Sequence, residues 1–171
     1  YHNVSLRGGS DKNSYFASLG YDSDTGIIQD FEGFKRYNAR FNFDQKVCDR
    51  MKVGFDFGAI NTETDDQRYS YNALSPFYSL YTLNDYETVR LANGNFNPTV
   101  NGINPIDQRR NERSSDRRTR LTGQVFGEYK ILEGLNFRSS FGSIYDNRYN
   151  KNIVRKGSDI AAVYGLPDGQ I

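Results

Sequence analysis

Hydrophobic and polar residues alternate with a period of two along much of this chain. Between Phe34 and Asp44, Tyr37, Ala39, Phe41 and Phe43 fall on one side of an extended strand. Arg36, Asn38, Arg40, Asn42 and Asp44 fall on the other. The first side carries aromatics and the second is fully polar. The same rhythm recurs elsewhere and predicts strands over about 3–8, 14–21, 34–45, 51–62, 117–130 and 135–147. Val4 and Leu6 mark the first strand, and Tyr15, Ala17, Leu19 and Tyr21 the second. In the fourth, Val53, Phe55, Phe57 and Ala59 oppose Lys52, Gly54, Asp56 and Gly58. In the fifth, Leu121, Val125 and Tyr129 oppose Arg120, Thr122, Gln124 and Glu128. In the sixth, Leu135, Phe137, Phe141 and Tyr145 oppose Asn136, Arg138, Ser140 and Asp146.

The connections alternate in length. Gly9-Ser10-Asp11-Lys12, residues 46–50 and Ile131-Leu132-Glu133-Gly134 read as short turns. Residues 22–33, 63–116 and 148–171 read as long loops, the middle one very long. The expected fold is all-β: an antiparallel up-and-down meander with its short turns at one rim, forming part of a large transmembrane β-barrel with long extracellular loops. A compact soluble domain has connections of about 4–6 residues and no reason to gather the long ones at one end. Membrane barrels start at about eight strands, and an open edge is untenable in lipid. Six strands therefore suggest a segment of a larger barrel. Tyr1 opens directly in an alternating segment, as in a mature chain or an excised piece.

Composition narrows the choice. No run approaches the roughly 18 apolar residues of a membrane helix, whereas half-polar barrel strands escape such a count. Lys plus Arg is 22 and Asp plus Glu is 21, a balance that gives no reason to expect nucleic acid. The basic cluster Arg109, Arg110, Arg113, Arg117, Arg118 and Arg120 is diluted by Asp107, Glu112 and Asp116. Aromatics form 15% of the chain. Tyr21, Tyr37 and Tyr145 fall near the long-loop ends, and Tyr15, Phe43 and Tyr129 near the short turns. These are two aromatic belts, or simply the aromatics common in strands. Cys48 is the single cysteine and His2 the single histidine, so neither has a motif partner. Asp22-Ser23-Asp24-Thr25-Gly26 fits an Asx turn better than a calcium loop, lacking the later acidic ligands. There is no nucleophile elbow, P-loop, zinc signature or paired-Cys motif, so neither an enzyme nor a cofactor is expected.

The run Val4-Ser5-Leu6-Arg7-Gly8-Gly9-Ser10-Asp11-Lys12-Asn13-Ser14-Tyr15, followed by Leu19-Gly20-Tyr21, resembles the early barrel of SusC/RagA-type TonB-dependent outer-membrane transporters. Gly26-Ile27, the stretch from Phe34 to Asp44, and Lys52-Val53-Gly54 are similar to the segments that follow in that family. So is the pair of strands from Arg120-Leu121-Thr122-Gly123 through Leu135-Asn136-Phe137-Arg138 to Phe141-Gly142. The resemblance covers most of the chain outside the long loops. It implies part of a 22-stranded barrel wall around a plug that is not recognisable in this chain. It further implies import of oligosaccharides or peptides across the outer membrane of a Gram-negative bacterium, driven through TonB by an N-terminal part. A SusD-like surface lipoprotein would act as a lid.

Two residue sets then become candidates. Arg36, Arg40, Asp44, Asp56, Arg118, Arg120, Glu128 and Arg138 would point into the lumen, to pair with each other, bind the plug or contact solute. Tyr69, Tyr71, Phe77, Tyr78, Tyr81 and Tyr86 crowd the very long loop. They would stack on substrate or a partner, or pack the loop on itself and the rim, with a short helix around 72–83. Asn97-Pro98 and Asn104-Pro105 read as turn initiators. The alternative to a membrane barrel is a soluble or surface-exposed all-β carbohydrate-binding module. In such a sandwich Phe41, Phe55 and Phe137 would be buried against a second sheet.

Overall fold

A computed structural model describes residues 1–26, 33–66, 84–98, 104–166, 168 and 169. Six strands follow in order: β1 (His2–Gly9), β2 (Asn13–Asp24), β3 (Phe34–Cys48), β4 (Met51–Asp66), β5 (Glu112–Leu132) and β6 (Leu135–Val154). They form one antiparallel meander in the order β1-β2-β3-β4-β5-β6, and the sheet is not closed. Among the described residues two short helices accompany them, α1 (Pro105–Asn111) and α2 (Asp159–Val163). No helix among the described residues is long and apolar enough to cross a membrane, which says nothing of strands.

The chain divides into two compact units. The first holds residues 1–26, 33–64 and 117–149, the body of the sheet. Its register follows the alternation. Tyr15 pairs with Phe43 and Phe43 with Phe55, while Ala17 pairs with Phe41 and Phe41 with Phe57. Because directly paired residues share a side, all of these lie on one face. Tyr21 and Tyr37 are opposed at the other end of the same ladder, their rings 5.0 Å apart. This apolar face is open. Phe41, Phe55 and Phe137 are 39%, 38% and 60% exposed, and Val4, Leu6, Leu19, Val125 and Phe141 are exposed beside them. The second sheet that a sandwich requires over these rings does not occur among the described residues.

Several connections are tighter than the sequence suggests. The β3–β4 link is only Asp49-Arg50, and a register shift between Lys46 and Cys48 takes up the spare residue as a bulge. The β5–β6 link is Glu133-Gly134, with Gly134 at φ 85°, where a side chain would be strained. Ile131 and Leu132, expected in that turn, belong to β5. The three short links join β1 to β2, β3 to β4 and β5 to β6, so the meander places them at one end.

The long connections also change. The loop expected over 63–116 is shortened at both ends, because β4 runs on to Asp66 and β5 begins at Glu112. These extensions are polar, and the backbone ladder holds them without an apolar side. Asn104-Pro105, expected as a turn, instead opens α1. The Asn104 side chain accepts from the amides of Ile106 and Asp107, and Pro105 takes the first helical turn, where its missing N–H costs nothing. Likewise the loop expected over 148–171 begins as strand to Val154 and then forms α2, capped by Ser158. The helix expected around 72–83 lies outside the described residues.

The second unit holds residues 27–32, 65–116 and 150–171. Its small core is Val154, Ile160 and Ala161, with Tyr164 packed against it. The Tyr164 hydroxyl donates to the Glu112 carboxylate at 3.2 Å. Arg109 pairs with buried Asp65. Residues 89–97 fold back through an Arg90–Phe96 bridge, with the Arg90 and Arg110 guanidiniums over the Phe96 ring.

Candidate functional site

The face opposite the aromatics gathers the charged candidates. Ladder pairing sets Arg36 opposite Asp22 and Thr62, Arg40 opposite Ser18 and Gly58, Asn42 opposite Phe16 and Asp56, and Asp44 opposite Ser14 and Gly54. Alternation along β5 and β6 adds Arg118, Arg120, Glu128, Arg138 and Asp146.

Most of these charges are matched locally. Arg36 pairs with Asp22 at 2.8 Å, and Lys52 with Asp44 at 3.1 Å. Arg118 and Arg120 share the carboxylate of Asp146, at 2.6 and 2.8 Å. Arg138 stands 3.8 Å from Glu128. Asp56 accepts a hydrogen bond from the Asn42 amide, not from a cation. Arg40 has no ion pair or side-chain hydrogen bond among the described residues. Asp22 falls in the loop expected over 22–33, yet it belongs to β2 and its carboxylate fixes Arg36. The basic run is dispersed in the same way: Arg117 pairs with Glu63, and Arg109 and Arg110 are held in the second unit.

This face is not wholly polar. Ile60 and Ile144 lie on it, and so does Phe126, an aromatic out of phase with Leu121, Val125 and Tyr129 on the same strand. Phe126 is only 8% exposed. Its ring lies where a Gly54 side chain would project, with the Arg138 guanidinium 4.1 Å and the Lys52 ammonium 5.7 Å from its centre. The available signal was an aromatic placed across the ladder from a glycine, with cations on the flanking strands.

A cleft of about 900 Å³ opens on this face, with Arg36, Asn38, Arg40, Asp56, Arg120 and Gln124 in its lining. Ser18, Gly58 and Thr122 also line it, and these small side chains leave room around Arg40. The cleft offers charge and hydrogen-bonding groups to a polar solute. Among the described residues its lining includes no histidine or cysteine.

Of the loop aromatics, Tyr69, Tyr71, Phe77, Tyr78 and Tyr81 lie outside the described residues. Tyr86 is described, and at 83% exposed it is not packed into a loop core. In the second unit Asp107 is buried and raised above its ordinary carboxylate range, chiefly by burial and then by the neighbouring Asp159 charge. The Asn111 amide and Arg110 offset part of that rise.

No protein-family profile matches the chain. The chain is similar to the TonB-dependent receptor P26 of Formosa agariphila, with 26% identity over 149 residues, covering 84% of this chain and 14% of that receptor. It therefore spans only a small part of the length of the curated relative that it matches. Together with the open all-β meander, that likeness supports a TonB-dependent receptor and nothing finer.

Proposed function

We propose that this chain is a barrel-wall segment of a SusC/RagA-like TonB-dependent importer in the outer membrane of a Gram-negative bacterium. The observation that carries the reading is the exposed apolar face of the meander, backed on every strand by a charged face. A contiguous open apolar surface of this extent marks contact with a membrane or a partner. Strands of 12–21 residues from β2 to β6 exceed the 9–11 needed to cross the hydrocarbon when tilted. The apolar face meets lipid, and Arg36, Arg40, Asp44, Asp56, Arg120, Glu128 and Arg138 face the water-filled interior.

In this reading an oligosaccharide or peptide passes through the complete barrel after energised displacement of a plug. TonB acts through a part of the protein outside this chain. A SusD-like surface lipoprotein closes the extracellular end, where Tyr69, Tyr71, Phe77, Tyr78, Tyr81 and Tyr86 contact it or the solute. The similarity to a TonB-dependent receptor and the one-ended placement of the short turns support this assignment. The test uses whole cells carrying the complete protein. Outer-membrane fractionation should recover it there, and solute uptake should stop when TonB is deleted. Recovery in a soluble fraction, or uptake indifferent to TonB, would overturn the assignment.

A further inference from the structure

We infer that the cleft around Arg40 is a binding site for the carboxylate of an acidic, hydroxyl-bearing solute. The inference rests on the import reading above and adds the class of solute. Three arginines line the cleft. Arg36 is neutralised by Asp22, and Arg120 shares Asp146 with Arg118. Arg40 keeps its full charge and all its donors, since none is engaged among the described residues. A guanidinium presents a planar fork that matches a carboxylate with two parallel hydrogen bonds. The neighbours of Arg40 across the ladder are the small residues Ser18 and Gly58, and among the described residues neither covers the fork.

The surroundings select more than charge. The Asn38 and Gln124 side-chain amides have no hydrogen-bond partner among the described residues. The Asp56 carboxylate accepts from Asn42 but has no cation. Amides and an acceptor carboxylate beside a lone guanidinium fit hydroxyl groups next to an anionic group, as in a uronic-acid sugar. The cleft volume of about 900 Å³ lies within the range of small-solute sites.

The test measures the reaction of Arg40 with phenylglyoxal in the complete, detergent-solubilised protein, followed by peptide mapping. The probe is a galacturonate trimer, and its methyl ester is the uncharged control. Arg40 is expected to react faster than Arg36 and Arg120 in the free protein. The acidic trimer should slow it about tenfold, equivalent to ~1.4 kcal/mol, while the ester leaves it unchanged. Arg40→Gln should abolish trimer binding measured by calorimetry, and Arg40→Lys should weaken it. Two results would overturn the inference. An Arg40 that is already unreactive in the free protein is occupied by an acidic side chain of the same molecule. An Arg40 equally reactive with and without the trimer binds no carboxylate. Neither readout requires transport, so either failure leaves the import assignment standing, and loss of TonB-dependent uptake would not alter Arg40 protection.

Discussion

Removing the Phe126 ring should be the most costly single change on the charged face. The ring is almost fully buried over Gly54, under Arg138 at 4.1 Å and near Lys52 at 5.7 Å. Truncating a core phenylalanine to alanine costs about 3–5 kcal/mol. Here a single sheet and two cationic side chains form the enclosure, so the lower end, ~3 kcal/mol, is expected. The cation–ring component is isolated by a double-mutant cycle of Phe126→Leu with Arg138→Gln. Leucine keeps much of the apolar volume and removes the ring's negative face. The Arg138–Glu128 contact is lost in both Gln backgrounds and cancels. Coupling of about 0.5–1 kcal/mol is expected, the usual worth of a cation over an aromatic ring at a partly exposed site. The assay is urea unfolding of the complete barrel refolded into lipid vesicles, followed by gel mobility. Coupling below ~0.3 kcal/mol, within the scatter of additive mutations, would refute the claim that the cation holds the ring.

Three further outcomes are expected. Phe41→Arg or Phe55→Arg should cost about 2–4 kcal/mol of barrel stability if these rings face lipid near the midplane, whereas Asn42→Arg should be milder; equal assembly yields for all three would reverse the assigned faces. Deleting residues 69–98, which spares the Asn104 cap of α1, should weaken solute uptake or co-purification of the lid lipoprotein while the barrel still assembles; wild-type levels of both would leave the loop without either role. Because the folded state raises the Asp107 pKa, it favours the protonated carboxyl. The contribution of Asp107 to the stability of the unit containing α1 and α2 should therefore be present in acid and be lost as pH rises through that raised value. Asp107→Asn should remove this slope and raise stability at neutral pH, read from hydrogen-exchange protection of the α1 amides; an unchanged slope would assign it to another group.

Much of the sheet is legible in the sequence because its two faces differ in chemistry, one aromatic and one charged. Tyr15, Phe43 and Phe55 keep phase on three successive strands, and that phase alone predicts which residues stand opposite each other. The strand ends are less visible. Beyond Thr62, Glu63 and Thr64 give way at Asp65 and Asp66 to residues typical of turns, yet β4 continues there through backbone pairing, which leaves no hydrophobic trace. The first turn of α1 carries a signature, Asn followed by Pro, that serves a turn and a helix start equally, and seven residues are too few for a helical period to decide. In the candidate site, the face of Arg40 follows from its position, but its solitude does not. That depends on Asp22 reaching Arg36 and Asp146 reaching two arginines, pairings set by cross-strand geometry.

The bulge between Lys46 and Cys48 has a consequence for how such a wall can change over time. Each strand interleaves two texts, one in odd positions and one in even. A substitution edits one letter of one text, so the charged text can be rewritten while the aromatic text stays intact. A one-residue deletion inside β3 would instead exchange the two texts from that point onward. The bulge is a place where an extra letter already stands without scrambling what precedes it. Length variation is therefore expected to collect at this end of the β3–β4 hairpin, and sequence variation at the even positions from Arg36 to Asp44.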